Sequence, residues 1–322
     1  AHAMTTGNSV LTTSIGALAI LNQLITMGSL IATNMLGGRM VSPLIQLVGQ
    51  WRTFGQFRAA KKRLDTLLSA PQDRSESVIA LPRPVGAMRL ESVTFQFPGS
   101  ENALLEPISG EIGPSGLHAI VGPNGSGKTT LLKILRGLYP PSTGRVLIDG
   151  ADLHQFTQTE LAQRIGYLSQ TNQLLSTSIR DNIALANPDA SDEQIIRAAE
   201  RSCAHHFIID LPDGYATQVG EGAQRFSAGQ TKRIAIAQAL LNDPPVLLLD
   251  EPTAELDRES ELRFVQTLKQ LAKERTVIVV THSPFLLSHC NGILVMNKGK
   301  LMAAGPATEI LPKLGMNVAS NA

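Results

Sequence analysis

The sequence predicts an α/β domain on a mainly parallel sheet, with an inserted helical subdomain and a partial all-α transmembrane segment ahead of it. Three observations carry this prediction. After residue 88, short apolar runs bounded by turn residues alternate with helical stretches, the pattern of βαβ units. Between Ser178 and Leu241 that alternation lapses into helices alone. Residues 3–38 hold no Asp, Glu, Lys or Arg, and the first acidic residue of the chain is Asp65.

Length and composition set the bounds. A chain of 322 residues and 34.5 kDa has room for one large domain or two ordinary ones. Charged residues make up only 17%, so part of the chain is expected to avoid water. A net charge of +1 gives no electrostatic footprint for nucleic acid, and none is expected as a partner. Cys203 and Cys290 are far apart and in no metal-like spacing, which fits a reducing compartment and not a disulfide framework.

A membrane-spanning helix needs ~20 mostly apolar residues, so residues 3–38 can supply one complete span and part of another. Asn22 and Gln23 predict a polar turn between a helix over 10–21 and one starting near Leu24. The next charges, Arg39, Arg52, Arg58, Lys61, Lys62 and Arg63, are all basic, which puts the chain after the span on the cytoplasmic side. A secretory signal fits poorly without a basic region in front; a buried helix of a soluble protein is the alternative. Residues 50–68 read as a helix leaving the bilayer, with Trp51, Phe54 and Phe57 near the interface, or as a plain solvated basic helix. Residues 71–84 have the prolines and polar residues of a linker. The expected division is 1–50 for the membrane region, 51–87 for the helical extension and linker, and 88–318 for the α/β domain.

Within that domain, residues 88–97 alternate as a strand, and Leu117 with Ala119, Ile120 and Val121 ends a buried one. Gly122, Pro123, Asn124, Gly125, Ser126, Gly127, Lys128 and Thr129 then fill the pattern G-x-x-x-x-G-K-[ST], and an apolar helical run comes next over 131–138. Strand, glycine turn and helix make a phosphate cradle, the mark of a P-loop NTPase core. Glycine lets the backbone N–H groups approach phosphate oxygens, and the helix adds its positive end. Lys128 adds a mobile charge for the outer phosphates, and the Thr129 hydroxyl can ligate Mg²⁺. Further short strands are expected over 145–148, 165–168, 246–250, 276–280 and 293–296, and a helix over 192–202 with Ser191 as its N-cap.

The strand Val246, Leu247, Leu248, Leu249 ends on Asp250, placed to hold Mg²⁺, and Glu251 comes next, placed to orient or deprotonate an attacking water. An acidic pair before Pro252 also suits the start of a helix. His282 emerges at the same sheet edge after the strand over 276–280, where a structural histidine is the alternative to a γ-phosphate contact.

In this order the elements resemble the ATPase half of an ABC transporter, over roughly residues 88–314. The resemblance implies ATP and Mg²⁺ as cofactors and assigns further roles. Phe97 stands where the family's adenine-stacking aromatic, usually Tyr, is found. Gly122 to Thr129, with Thr130, form the phosphate loop, and Gln170 reaches Mg²⁺ and senses the membrane domain. Residues 226–230, FSAGQ, resemble the signature LSGGQ, with Ser227, Gly229 and Gln230 contacting nucleotide held by a second copy, and open a helix over 231–241. Glu251 is then the catalytic base, His282 the switch histidine, and 254–257, AELD with Asp257, the loop usually written SALD. Residues 217–222, TQVGEG, resemble a segment characteristic of exporters. Ala228, Phe226 and Ala254 depart from the family pattern, and Ala228 is expected to weaken closure; Ser227, Gly229, Glu251 and His282 are retained, so an active site is expected.

Residues 24–44 resemble the last membrane helix of type I secretion transporters. That implies a bacterial inner-membrane location, the ATPase on the cytoplasmic side, and the end of a fifth span with the sixth within residues 1–50. It also implies a fragment lacking its upstream spans, working as a homodimer with a periplasmic adaptor and an outer-membrane channel. The same engine on a lipid, peptide or drug exporter, or a non-transport ABC protein, are the alternatives.

Overall fold

The computed structural model describes residues 2–69, 85–171, 173–220, 226–254 and 256–315. The linker expected over 71–84 lies outside these residues, as do Glu221 and Gly222 of the exporter-like segment, Glu255 and residues 316–318. The chain divides into two compact units, Ala1–Gln72 and Asp73–Ala322.

The first unit is a helical hairpin, α1 (His2–Leu21) and α2 (Met27–Leu68). The turn falls on Asn22 and Gln23, where the sequence predicts it, and Gln23 takes a positive φ of 55°. Thr26 starts α2 through a capping box with Ser29. The helices approach closely: a Cβ on Gly16 would lie 2.1 Å from Leu30 Cδ1, and Asn34 Nδ2 donates to Thr13 Oγ1 at 3.2 Å. The basic stretch over 50–68 continues α2 without a break. No helix among the described residues is long and apolar enough to cross a membrane. Lack of charge is not apolarity here. Thr12, Thr13 and Ser14 dilute α1, Gly28, Ser29, Thr33 and Asn34 dilute α2, and Arg39 arrives soon afterwards.

The second unit carries two sheets. Strands β1 (Met88–Phe95), β2 (Leu105–Ile112), β4 (Thr143–Ile148) and β5 (Ala151–Asp152) form an antiparallel sheet in the order β2-β1-β4-β5. The larger sheet has the order β10-β9-β3-β8-β7-β6, from β3 (Gly116–Val121), β6 (Ile165–Leu168), β7 (Val246–Asp250), β8 (Thr276–Val280), β9 (Gly292–Asn297) and β10 (Lys300–Pro306). All of its pairings are parallel except β9 with β10.

Alternation along the central strands fills two layers. Leu248, Ile278 and Val280 face a core shared with α3 (Lys128–Leu135) and the antiparallel sheet. Leu247, Leu249, Val277 and Val279 face a second core closed by α8 (Ala228–Leu240), α9 (Arg258–Ala272), α10 (Pro284–Leu287) and α11 (Ala307–Lys313). Strands buried on both faces read as continuous apolar runs, which is why β7 and β8 stand out in the sequence.

The helical insertion has its own core. It packs α5 (Ile179–Ala184), α6 (Asp192–Arg201) and α7 (His205–Ile209) against Ile234, Ala237 and Leu241. Ser191 caps α6 with a full capping box. Helix α8 therefore serves both cores, with Ala235, Ile236 and Leu240 on the sheet side. Helix α4 (Gln158–Arg164) leads into β6.

Candidate active site

Parallel pairing brings the strand ends to one edge. Ile120 and Asp250 both pair with Val280, and Leu168 pairs with Leu249, so the residues after β3, β6, β7 and β8 emerge side by side. Open parallel sheets bind ligands at this carboxyl edge.

The turn from β3 into α3 is shaped by its glycines. Gly127 is the N-cap of α3 at φ 94°, and Gly125 lies at φ 78°. At Gly122 a Cβ would sit 2.0 Å from the Met296 carbonyl oxygen, so the loop is pressed against β9. Lys128 Nζ donates to the carbonyls of Gly122 and Pro123 at 2.8 and 3.0 Å, closing the loop around the ammonium. Burial lowers the Lys128 pKa, against the raising pull of Glu251 and Asp250. The Ser126 hydroxyl is buried without a hydrogen-bond partner among the described residues.

Beside this loop is a cleft of about 360 Å³, bounded by Asn124, Gly125, Gly127, Lys128, Thr129 and Thr130 on one side and by Gln170, Asp250 and Glu251 on the other. That volume is far beyond one water (~30 Å³) and suits a ligand with several phosphate groups. Asp250 is 1% exposed, and neither carboxylate oxygen has a hydrogen-bond partner among the described residues. The Thr129 hydroxyl faces it without reaching full hydrogen-bond geometry. A buried carboxylate left unpaired is costly, and burial raises its pKa.

Such a carboxylate next to Thr129 and Gln170 fits a hard cation with oxygen ligands, Mg²⁺ above all. No group of three or more His, Cys, Asp or Glu among the described residues could hold a metal, so an ion here needs further oxygens from a bound phosphate.

Glu251 adopts a left-handed φ of 47° directly after β7. Its N–H donates to the Val280 carbonyl at 2.9 Å. Burial raises the Glu251 pKa; His282 opposes the rise and Asp250 adds to it. His282 Nε2 lies 3.5 Å from Glu251 Oε1.

Residues 105–254 match the family model described as "ABC transporter". The α/β domain of this chain belongs to the ABC transporter family. The chain is 38% identical over 302 residues to the toxin RTX-I translocation ATP-binding protein of Actinobacillus pleuropneumoniae, covering 94% of this chain and 43% of that protein. It is 39% identical to the alpha-hemolysin translocation ATP-binding protein HlyB of Escherichia coli, covering 92% and 42%. It thus spans less than half the length of the curated relatives it matches. A solved bacterial Atm1-family ABC exporter with ATP bound is 29% identical, with a TM-score of 0.74 over 98% of this chain and 56% of that one.

The remaining expected ABC residues take two kinds of place. Phe97 is 44% exposed, edge-on to Phe95 and Tyr139, which stack on each other at 5.4 Å. Ser227, Gln230 and Asp257 work as helix caps: Ser227 and Gln230 form the capping box of α8, and Asp257 accepts from Ser260 to start α9. The signature helix accordingly begins at Ala228, three residues before its expected start. Gly229 would bring a Cβ to 3.2 Å from Leu256. Phe226 packs with Phe207 in the insertion, so an aromatic takes up space there that leucine would fill less completely.

Two neighbours of these residues went unread in the sequence. Tyr139 supports Phe97, and Lys133 lies over its ring at 5.4 Å. Lys232 is a buried cation on α8. Its position on the stripe of Ala235 and Ile236, three and four residues on, was a legible signal of burial.

Proposed function

We propose that this chain is the ATP-binding and hydrolysing part of an ABC exporter of the type I secretion class, which drives protein export from the bacterial inner membrane. The observation that carries the proposal is the buried Asp250 carboxylate beside Thr129 at the phosphate loop, with no full hydrogen bond among the described residues and with Glu251 next to it. In this reading the loop from Gly122 to Thr130 and Lys128 hold the phosphates of ATP, and Phe97 supports the adenine. Thr129, Gln170 and Asp250 would hold Mg²⁺, which would neutralise charge on the phosphates. Glu251 takes the proton of the attacking water, and its burial-raised pKa suits a base. His282 orients Glu251 and the terminal phosphate.

Ser227, Gly229 and Gln230 would meet nucleotide on a second copy of the chain, a helix start aimed at phosphate. Homodimerisation, upstream membrane helices, a periplasmic adaptor and an outer-membrane channel belong to the same proposal. Its support is the likeness to two proteins named for toxin and hemolysin translocation. The test is hydrolysis by the purified chain: turnover that needs Mg²⁺ and falls in Glu251→Gln while ATP binding persists supports the reading, and equal turnover in that variant contradicts it.

A further inference from the structure

Lys232 lies in the second turn of α8 on the face it shares with Ala235, Ile236 and Leu240, and is only 7% exposed. An ammonium group so placed needs fixed acceptors. It has them on the turn after β7: Nζ donates to the Glu251 carbonyl at 3.2 Å and to the Ala254 carbonyl. The same turn is closed by Ala254 N–H donating to the Glu251 carbonyl at 3.2 Å. Lys232 thus grips the backbone of Glu251 and the far end of the turn together.

That grip falls where the chain is strained. Glu251 has φ 47°, a conformation that a residue with a Cβ holds when its surroundings over-determine it. Its N–H is fixed from the sheet side by Val280, and its carbonyl from the α8 side by Lys232. The first turn of α8 also lies close to this loop, since a Cβ added at Gly229 would come within 3.2 Å of Leu256 Cδ2. Lys133, Lys128 and His282 bear on the Asp250 and Glu251 carboxylates, and Lys232 donates to the carbonyls of Glu251 and Ala254.

We propose that Lys232 is a positioning residue for hydrolysis. Through the carbonyls of Glu251 and Ala254 it holds the backbone from which the Glu251 carboxylate projects, and it fixes that carboxylate relative to the helix that starts at Ser227. The inference rests on Glu251 being the base. The phosphate loop, Thr129 and Asp250 are held by β3, α3 and β7 without Lys232. Its loss therefore misaims the base and leaves nucleotide binding in place.

The experiment compares Lys232→Met, similar in length but without a donor, with Lys232→Arg, which keeps a cation and donors. Steady-state hydrolysis and titration with a fluorescent ATP analogue are measured on the full chain, with Glu251→Gln alongside. Lys232→Met is expected to lower kcat at least about tenfold while KM and analogue affinity stay within about twofold, and Lys232→Arg is expected to recover most of the loss. An unchanged kcat in Lys232→Met overturns the proposal. So does a joint loss of kcat and nucleotide affinity, which marks general damage to the fold. Glu251→Gln separates the two readings. Full turnover in that variant removes Glu251 as the base, whereas its inactivity beside an unaffected Lys232→Met rejects the role of Lys232 alone.

Discussion

Glu251 and His282 face each other across the ends of two paired strands, with Oε1 and Nε2 3.5 Å apart. Glu251 holds a left-handed φ of 47° there, with its N–H on the Val280 carbonyl at 2.9 Å. The adjacent carboxylates share one cleft but differ in their nearest partners. Asp250 stays in the buried floor beside Thr129, and Glu251 stands at the rim with an imidazole partner.

This pairing sets a pH dependence. Burial raises the Glu251 pKa and His282 pulls it down, so His282→Ala is expected to raise it further. A base works only when deprotonated, so the acid limb of the kcat profile should move to higher pH in His282→Ala, with kcat at its plateau lowered about tenfold or more. An acid limb that stays in place, or moves down, would contradict the pairing.

Two glycines of the phosphate loop should differ sharply. Gly122→Ala puts a methyl group against the Met296 carbonyl oxygen, and should cost about 1–3 kcal/mol in urea unfolding along with weaker ATP binding. A Cβ at Gly125 meets nothing within 4 Å, so Gly125→Ala carries only the strain of φ 78°, about 1 kcal/mol. Equal losses in the two variants would contradict the tight seat of Gly122 on β9.

Asp250 should govern the metal. Asp250→Asn removes the charge but keeps the shape, and turnover should then need a Mg²⁺ concentration about tenfold higher or more, with little change in folding stability, because burial already disfavours the charged carboxylate in the fold. An unshifted Mg²⁺ titration would remove Asp250 from the metal site.

Stability below neutral pH should depend on Asp243. Burial alone would raise the pKa of this carboxyl, but Arg275 and Arg201 outweigh it and hold it below the usual range. Arg275 is buried and donates to Asp243 at 2.9 Å and to the Pro244 carbonyl at 3.0 Å. A depressed carboxyl adds stability above its unfolded pKa and loses it as pH falls through the folded value. Solvent screens the open side of Asp243, so Asp243→Asn should cost about 1–2 kcal/mol at neutral pH. The gap should narrow below about pH 4, as thermal melts across pH would read. A gap that does not change with pH would rule out the charge pairing as its source.

Much of this architecture is legible in the chain. Strands β6, β7 and β8 fall on the residues their unbroken apolar runs mark, and Ser191 caps its helix as its type suggests. The antiparallel sheet was harder to read: β2 contains Pro107 and Gly110, which hide its alternation, and β5 has only two residues. The first helices are uncharged over residues 3–38, yet Thr, Ser, Asn and Gly lower their apolarity, so composition alone does not fix their surroundings. At the site, residue types gave the phosphate loop and the carboxylates. The strained φ of Glu251, the orphaned oxygens of Asp250 and the grip of Lys232 depend on tertiary placement, which spacing along a chain does not encode.

Everything proposed for the site requires the loop from Gly122 to Thr130 to hold ATP phosphates, with Mg²⁺ between Thr129 and Asp250 and the base Glu251 alongside. A crystal structure of Glu251→Gln grown with Mg²⁺ and ATP decides the matter. Uncleaved nucleotide is expected with its phosphates in this cleft, Mg²⁺ within ligand distance of the Thr129 hydroxyl, and Ser227 of a second copy at the terminal phosphate. Nucleotide bound elsewhere, or an occupied cleft with the metal remote from Thr129 and Asp250, would contradict it.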